Sequence, residues 1–505
     1  MTVITKTRSA LTTSLLAGVM ALTLTGAHTA LAQTSITVAQ SGDAQPRNIL
    51  PTRGGNLPWL KNVFETLTVT DPITFEPQPL LATSWEIAED GLSIHITLRD
   101  DVTFHTGRRM TADDVRFTFE TAADPATAAQ TGFIAREFTS IDVLSDTELR
   151  ISFASPLANI FDFFEDTSIL DQETYANRED GSQVIGTGPY RFASWTPGAS
   201  IMLERYDGYR DADAAQIDQI EFAVINDPTA MISALRSGRA SVGFNMTPRD
   251  TIEFSGSPQY TIEQAGGAIF PLGVNVTLPP FDNVEVRRAV GYAIDRERIN
   301  DQVFDGSGTP TALFWSPSSP GYSVDLANAY AYDPDRARAM IDAAGATGAE
   351  IQITLPAIPA NRGIFEIVQN NLREVGLVPV GNVLDVPTYD QLQIAGDLGQ
   401  AFALIHGQVG FGSATLLSSL PSLRAGNPSQ FWTPEYEALR MAVEAATTTA
   451  QTAAAVEALS AYMIDQAFTL ALVQSSGLSV ISNSVSGVGL SRRGHLLLSG
   501  ATLEN

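Results

Sequence analysis

The side chains that could do chemistry in this 505-residue chain are unevenly supplied. There is no cysteine, which removes disulfides, thiolate metal sites, iron–sulfur clusters, a cysteine nucleophile and a lipid-modified N-terminal cysteine. Five histidines are scattered, and neither G-x-S-x-G nor H-E-x-x-H occurs. His406 ends the apolar run Phe402-Ala403-Leu404-Ile405. A single imidazole with no His, Cys or carboxylate nearby does not make a metal site by itself, so it reads as a hydrogen-bonding group for an organic ligand or as a structural histidine. Acids are plentiful, 56 against 30 Lys+Arg, so a pair of carboxylates at glycosidase spacing stays open on sequence alone. The formal net charge of −26 opposes phosphate backbones and anionic lipid, which excludes nucleic-acid binding. Gly186-Thr187-Gly188-Pro189 supplies turn chemistry; no Lys-Ser/Thr follows it, so it is not read as a phosphate loop. Arg136 and Arg424 could pair with a ligand carboxylate but read as surface arginines.

The elements that must position such groups begin after an address. Lys6 and Arg8 form a basic segment, an apolar run extends from Leu11 to about Gly26, and Ala30-Leu31-Ala32 offers small residues for cleavage. Residues 1–32 are therefore expected to be a secretory signal peptide, cleaved before Gln33 and too short and too polar to anchor in a bilayer. Beyond it the chain reads as mixed α and β. Leu92, Ile94, Ile96 and Leu98 alternate with Ser93, His95 and Thr97, the period of a strand with one wet face. Thr111 before Asp113 and Asp114 signals a helix start, and so do Asp227-Pro228, Asp333-Pro334 and Thr433-Pro434. Gly238 and Gly345 stand where helices should stop. The Ala-rich stretch 435–467 reads as two helices broken near 447–449. Lysine occurs only at positions 6 and 61, a bias read as compositional.

Five segments, in order, resemble the extracellular solute-binding proteins of ABC importers, family 5, the peptide, nickel and opine group. They are Pro79-Leu80-Leu81-Ala82-Thr83-Ser84-Trp85-Glu86 with Asp90-Gly91, the run Leu98 to Gly107 leading into Thr111-Ala112-Asp113-Asp114-Val115, Gly186-Thr187-Gly188-Pro189-Tyr190, Val286 to Arg296, and Tyr332-Asp333-Pro334 through Gly345. The resemblance implies an α/β, two-lobe periplasmic binding protein fold, type II-like, with an extra subdomain in the first lobe and the ligand cleft between lobes. It implies a first lobe of 33–271 plus 475–505, a second of 272–474, and crossings near 269–275 and 470–476. Cleft closure around a small organic solute, and its delivery to a membrane permease with separate ATPase chains, follow from it. A monomer without a cofactor or metal, free in the periplasm and not inserted in the membrane, is expected.

Peptide-binding members of this family carry a Trp and an Asp in a loop where this chain reads His406-Gly407-Gln408-Val409-Gly410-Phe411-Gly412-Ser413-Ala414. Phe411 stands for the Trp and Ser413 or Ala414 for the Asp, and no carboxylate lies between Asp397 and Glu435. A buried ammonium without a partner costs several kcal/mol, about 3–5 by analogy with breaking a buried pair, so a free-amine peptide is disfavoured unless another acid such as Asp166 serves. The resemblance places Trp59, Phe163, Phe164, Asp166 and Thr167 along the first lobe's side of the cleft. Trp315 and Trp432 stand in second-lobe loops, and His406, Gln408, Phe411 and Ser413 lie in the ligand loop itself. Aromatic faces and hydroxyls of this kind suit opines, modified peptides or oligosaccharides.

Overall fold

The computed structural model describes residues 33–505 apart from Arg53, Ile73, Gln408 and Asn505, so the expected leader over 1–32 lies outside the described residues. Local signals read from the sequence take their expected forms. In the strand Ser93–Leu98, Ile94, Ile96 and Leu98 are buried and Ser93, His95 and Thr97 are half-exposed. Thr111 forms a capping box with Asp114 ahead of the helix Ala112–Ala123. Asp227, Asp333 and Thr433 each accept a hydrogen bond from a backbone N–H three residues on, with proline in the first turn. The Ala-rich stretch divides into helices Pro434–Glu444 and Thr449–Gln466.

These elements assemble around three main sheets. A seven-stranded sheet runs, edge to edge, Tyr260–Ala265, Gly477–Ser482, Val242–Met246, Ser35–Gln40, Gln219–Val224, Ser200–Arg205 and Tyr190–Thr196. Ser35–Gln40 is parallel to both its neighbours, and the remaining pairs are antiparallel. An antiparallel four-stranded sheet, Ala82–Ile87, Ser93–Leu98, Glu148–Phe153 and Phe138–Ser145, shares its apolar core. A six-stranded sheet runs Thr309–Pro310, Thr469–Gln474, Ile269–Val274, Ala401–Ala403, Glu350–Pro356 and Val378–Leu384. Its strands and helices pack on separate apolar cores, which defines a second lobe. No helix among the described residues is long and apolar enough to cross a membrane.

The chain passes between the lobes twice, and the passages touch. One runs between Ala265 and Ile269, the other between Gln474 and Gly477. Ser475 N donates to Ala268 O at 2.8 Å, and Ala268 N donates to Ser475 Oγ at 3.2 Å. Both passages are tighter than the sequence reading placed them. Ile269–Val274 and Thr469–Gln474 are already paired strands of the second lobe, because ladder hydrogen bonds satisfy their backbone up to the lobe edge. Gly266 and Gly267 make the first passage possible with φ of 63° and 114°.

A side chain at Gly267 would be strained by its φ and would collide with the Ser475 carbonyl oxygen, whereas Gly345 has a similar sign of φ and open space. Gly267→Ala should cost about 1–3 kcal/mol of strain before any clash, and Gly345→Ala about 1 kcal/mol. Urea melts of the two variants check this; equal losses would mean that the passage relaxes freely.

Candidate functional site

The site is built where these passages meet three other segments. The first is the loop after the strand Ala401–Ala403. His406 and Ile269 exchange two backbone hydrogen bonds at 3.0 Å each, which pins the root of this loop to the first passage. Gly410, at φ 98°, brings the loop against the Arg492 carbonyl, and Gly412 leads into the helix Ser413–Ser419. The second segment is the turn Ser491–His495. Ser491 N donates to His495 O at 2.9 Å, and Gly266 N donates to Arg492 O at 3.1 Å, which ties the turn to the same passage. The third is the first-lobe helix Ile160–Asp166, with Asp162, Glu165 and Asp166 one turn apart.

Charge holds the three together. The Arg493 guanidinium pairs with Asp166 and lies 3.5 Å from the centre of the Phe411 ring. Arg492 reaches Glu165 at 2.9 Å and Asp162 at 3.9 Å. Asp162 Oδ2 accepts from Gly412 N at 2.8 Å and from Thr415 Oγ1 at 2.5 Å, so a first-lobe carboxylate closes the end of a second-lobe helix. Burial raises the Asp162 carboxyl above its usual range, and the Thr415 hydroxyl, Arg492 and the Gly412 N–H pull it back only in part.

Beside this network lies a cavity of about 350 Å³. Phe244, Asn245 and Ser479 of the first lobe, Phe270, Ile405, Gly407 and Val409 of the second, and both passages form its wall. Among the described residues Arg493 is its one charged wall residue, already neutralised by Asp166. The other polar groups are neutral: the Asn245 amide, the Ser475, Ser476 and Ser479 hydroxyls, and backbone at Gly266, Gly267 and Gly407. Among the described residues no group of three or more His, Cys, Asp or Glu is placed to hold a metal ion.

Of the residues singled out in the sequence, Asp166, Phe411 and Ser413 stand in the charged network beside the cavity and not in its wall, with Ser413 opening the helix that Asp162 closes. His406 sits at the root of the loop with Nε2 on Ser422 Oγ at 2.6 Å, and burial lowers its pKa to about 4. Gln408 lies outside the described residues. Five others belong elsewhere. Trp59 is fully buried in the first-lobe core against Phe192, at 5.2 Å between ring centres. Phe163 and Phe164 pack on Phe119 in the same core. Trp315 is buried in the second lobe with its indole N–H on Ser460 at 2.7 Å. Trp432, 38% exposed, lies against Tyr436 with Arg440 over its ring. Apart from the exposed Trp432, each large ring is covered by neighbours of its own lobe, so it buries apolar area there rather than at the junction. Phe411 itself is only 3% exposed, so it supports the lobe as well as the loop.

The sequence reading passed over Asp162, Arg492 and Arg493. Signals existed: Asp162 is four residues from Asp166, hence on the same helix face, and Arg492 and Arg493 are the only cations after Arg440.

The Asp166–Arg493 pair is 2% and 8% exposed, so removing one partner leaves a buried charge alone. Asp166→Ala should cost about 3–5 kcal/mol, and adding Arg493→Leu should recover part of it. A double-mutant cycle by urea melts checks this; coupling under about 1 kcal/mol would mean that the pair is solvated.

His406 fixes a pH window. Its folded pKa of about 4 lies below the ordinary 6.5, so the unfolded chain takes up the proton first. Its contribution is whole above pH 6.5 and is lost as pH falls towards 4, by about 3 kcal/mol at roughly 1.4 per unit. His406→Gln should reduce the slope of stability against pH between those values by about one proton in a pH series of melts, burial of His105 and His495 supplying the remainder; an unchanged slope would place the proton uptake elsewhere.

Comparison with known proteins matches residues 76–422 to the middle region of the bacterial extracellular solute-binding proteins, family 5. The chain is 28% identical over 352 residues to di/tripeptide-binding protein 1 of Pseudomonas aeruginosa, covering 63% of this chain and 65% of that one. It therefore spans slightly less than two thirds of that relative's length. The structure of HbpA2 from Haemophilus parasuis superposes with a TM-score of 0.83 at 21% identity, over 94% of this chain and 100% of that one. AgaA of A. tumefaciens R10, in complex with agropinic acid, gives 0.74 at 20% identity, over 93% and 99%. This chain thus belongs to the bacterial extracellular solute-binding proteins of family 5, on the two-lobe periplasmic binding protein fold.

Proposed function

We propose that this protein is the solute-binding component of an ABC importer, capturing a small polar solute in the periplasm and handing it to a permease whose ATPase subunits are separate chains. The observation that carries this is the junction cavity, whose wall needs both lobes and both passages, so that it is complete only when the lobes are together. The lobes, 33–265 with 477–505 and 269–474, then move as units about Gly266–Ala268 and Ser475–Ser476. A cavity of about 350 Å³ lies at the small end of ligand sites and suits a di- or tripeptide or an opine. Its neutral donors and acceptors favour a solute without excess charge. The argument against a free amine rested on the loop's lack of an acid; Asp162 and Asp166 approach that loop from the other lobe, yet neither lines the cavity and both are engaged, so a free amine would have to take one of them from its present partners. The relative named for di- and tripeptides and the neighbour holding agropinic acid support this range. Capture and release, not turnover, is the role proposed.

The test is a thermal-shift screen against dipeptides, tripeptides, opines and sugars, with the bound solute then recovered and weighed. A ligand at about 100 times its Kd should add roughly 2.7 kcal/mol and come back unchanged. Consumption of the solute would instead support a carboxylate hydrolase. A panel that leaves the midpoint unmoved, with nothing carried through purification, would overturn the reading.

Asp162 holds the lobes together through bonds to Gly412 and Thr415. Asp162→Ala should remove about 1.5–3 kcal/mol from the closed state, weakening solute binding about tenfold or more. Isothermal titration together with a larger radius of gyration in X-ray scattering checks it; an unchanged Kd would show that closure does not depend on this contact.

A further inference from the structure

A second cavity, of about 360 Å³, lies wholly within the first lobe. Phe64, Leu80, Leu490 and Leu497 give it an apolar body, and one end is charged. Pairing leaves that end unbalanced. Glu65 is held by Arg210 at 2.6 and 2.7 Å and by the Tyr209 hydroxyl at 3.0 Å. Glu165 is held by Arg492 and by Thr70 Oγ1 at 2.5 Å, and Asp166 by Arg493 and by Thr131 Oγ1 at 3.1 Å. Every carboxylate in the wall is thus in direct contact with an arginine, although Asp166 and Glu165 also attract Lys61 through space. Lys61 is left over. Its Nζ donates to the Glu165 and Asp166 carbonyl oxygens, at 2.8 and 3.3 Å, and forms no ion pair among the described residues. Two of its three N–H groups are used. Beside it, Arg492 Nε and His495 Nε2 are buried without hydrogen-bond partners among the described residues, and His495 is only 2% exposed. Buried polar atoms of this kind normally have partners.

We propose that this cavity is a second ligand site, for a small monocarboxylic acid with an apolar body, whose carboxylate supplies the counter-ion that Lys61 lacks. One carboxylate oxygen accepts from the ammonium, and the other from Arg492 Nε–H or His495 in its Nε2–H tautomer. The tail lies along Leu80, Leu490 and Leu497. The site is independent of the junction cavity as a reading of function, although Arg493 and Leu490 stand in both walls. Burial depresses the Lys61 pKa to about 8, so the ammonium is present at neutral pH, and a bound anion would raise that value again.

Lys6 and Lys61 are the only lysines, so the full chain labelled with 13Cε-lysine gives at most two lysine signals, assigned with Lys61→Met. Hexanoate should shift the Lys61 signal saturably and raise its titration midpoint by about one unit, while hexanol and acetate at the same concentration should not. Lys61→Met should weaken hexanoate binding at least tenfold by titration calorimetry. An unmoved Lys61 signal, or hexanol acting as well as hexanoate, would overturn the proposal. If Lys61→Met does not fold, the wild-type titration decides alone.

Discussion

Buried charge has to be neutralised where it stands, and the junction of the two lobes depends on that constraint. Three acids of one short helix, Asp162, Glu165 and Asp166, face two consecutive arginines, Arg492 and Arg493, from the far end of the chain. Without the arginines the helix would bury uncompensated carboxylates; without the acids the C-terminal turn would bury two guanidinium groups. Matching them fixes the turn against the helix. The turn in turn holds Gly266 of one passage, and the guanidinium of Arg493 supports Phe411 of the loop. Asp162 extends the same set across to Gly412 and Thr415. Charge pairing inside the first lobe and contact between the lobes are therefore one network.

That network explains the character of the junction cavity. Since Arg493 is already neutralised, the cavity offers hydroxyls, an amide and backbone groups without a net field. Such a wall binds by shape and hydrogen bonding, and a solute of mismatched charge would have to break the network to enter. In the proposed closure, the two adjoining passages, linked by Ser475 and Ala268, would confine the change in backbone angles to a few residues. Gly266 and Gly267 take the conformations that other residues resist. A short, hydrogen-bonded pair of crossings permits rotation about one axis and opposes sliding, the geometry that a hinge requires.

Much of the scaffold was legible. The strand at 93–98, the capping box at Thr111 and the Asp-Pro and Thr-Pro helix starts depend on neighbours within four residues, so short-range rules suffice. The site was legible only in pieces. Asp166, Phe411 and Ser413, named as cleft residues, stand in the network beside the junction cavity but not in its wall, and Trp59, Phe164 and Trp315 stand in cores. A tryptophan or phenylalanine in a loop looks alike in sequence whether it faces solute or the lobe beneath, since both environments bury its ring. Lys61 illustrates the reverse: its rarity looked compositional until its surroundings showed a cation without a counter-ion.

By itself the sequence determined the order of motifs, the alternation of strand and helix, the absence of thiol chemistry and the acidic balance that keeps the chain from polyanions. Each is a matter of composition or of forces acting along a few residues. Only the tertiary structure decided which charges meet. Asp162 lies 250 residues from Gly412, and Asp166 lies 327 from Arg493. Coulomb attraction and desolvation depend on distance and burial in space, and no periodicity along the chain encodes either. The loop that carries no acid of its own borrows one from the opposite lobe, and that exchange exists only once the two cores have formed and come together.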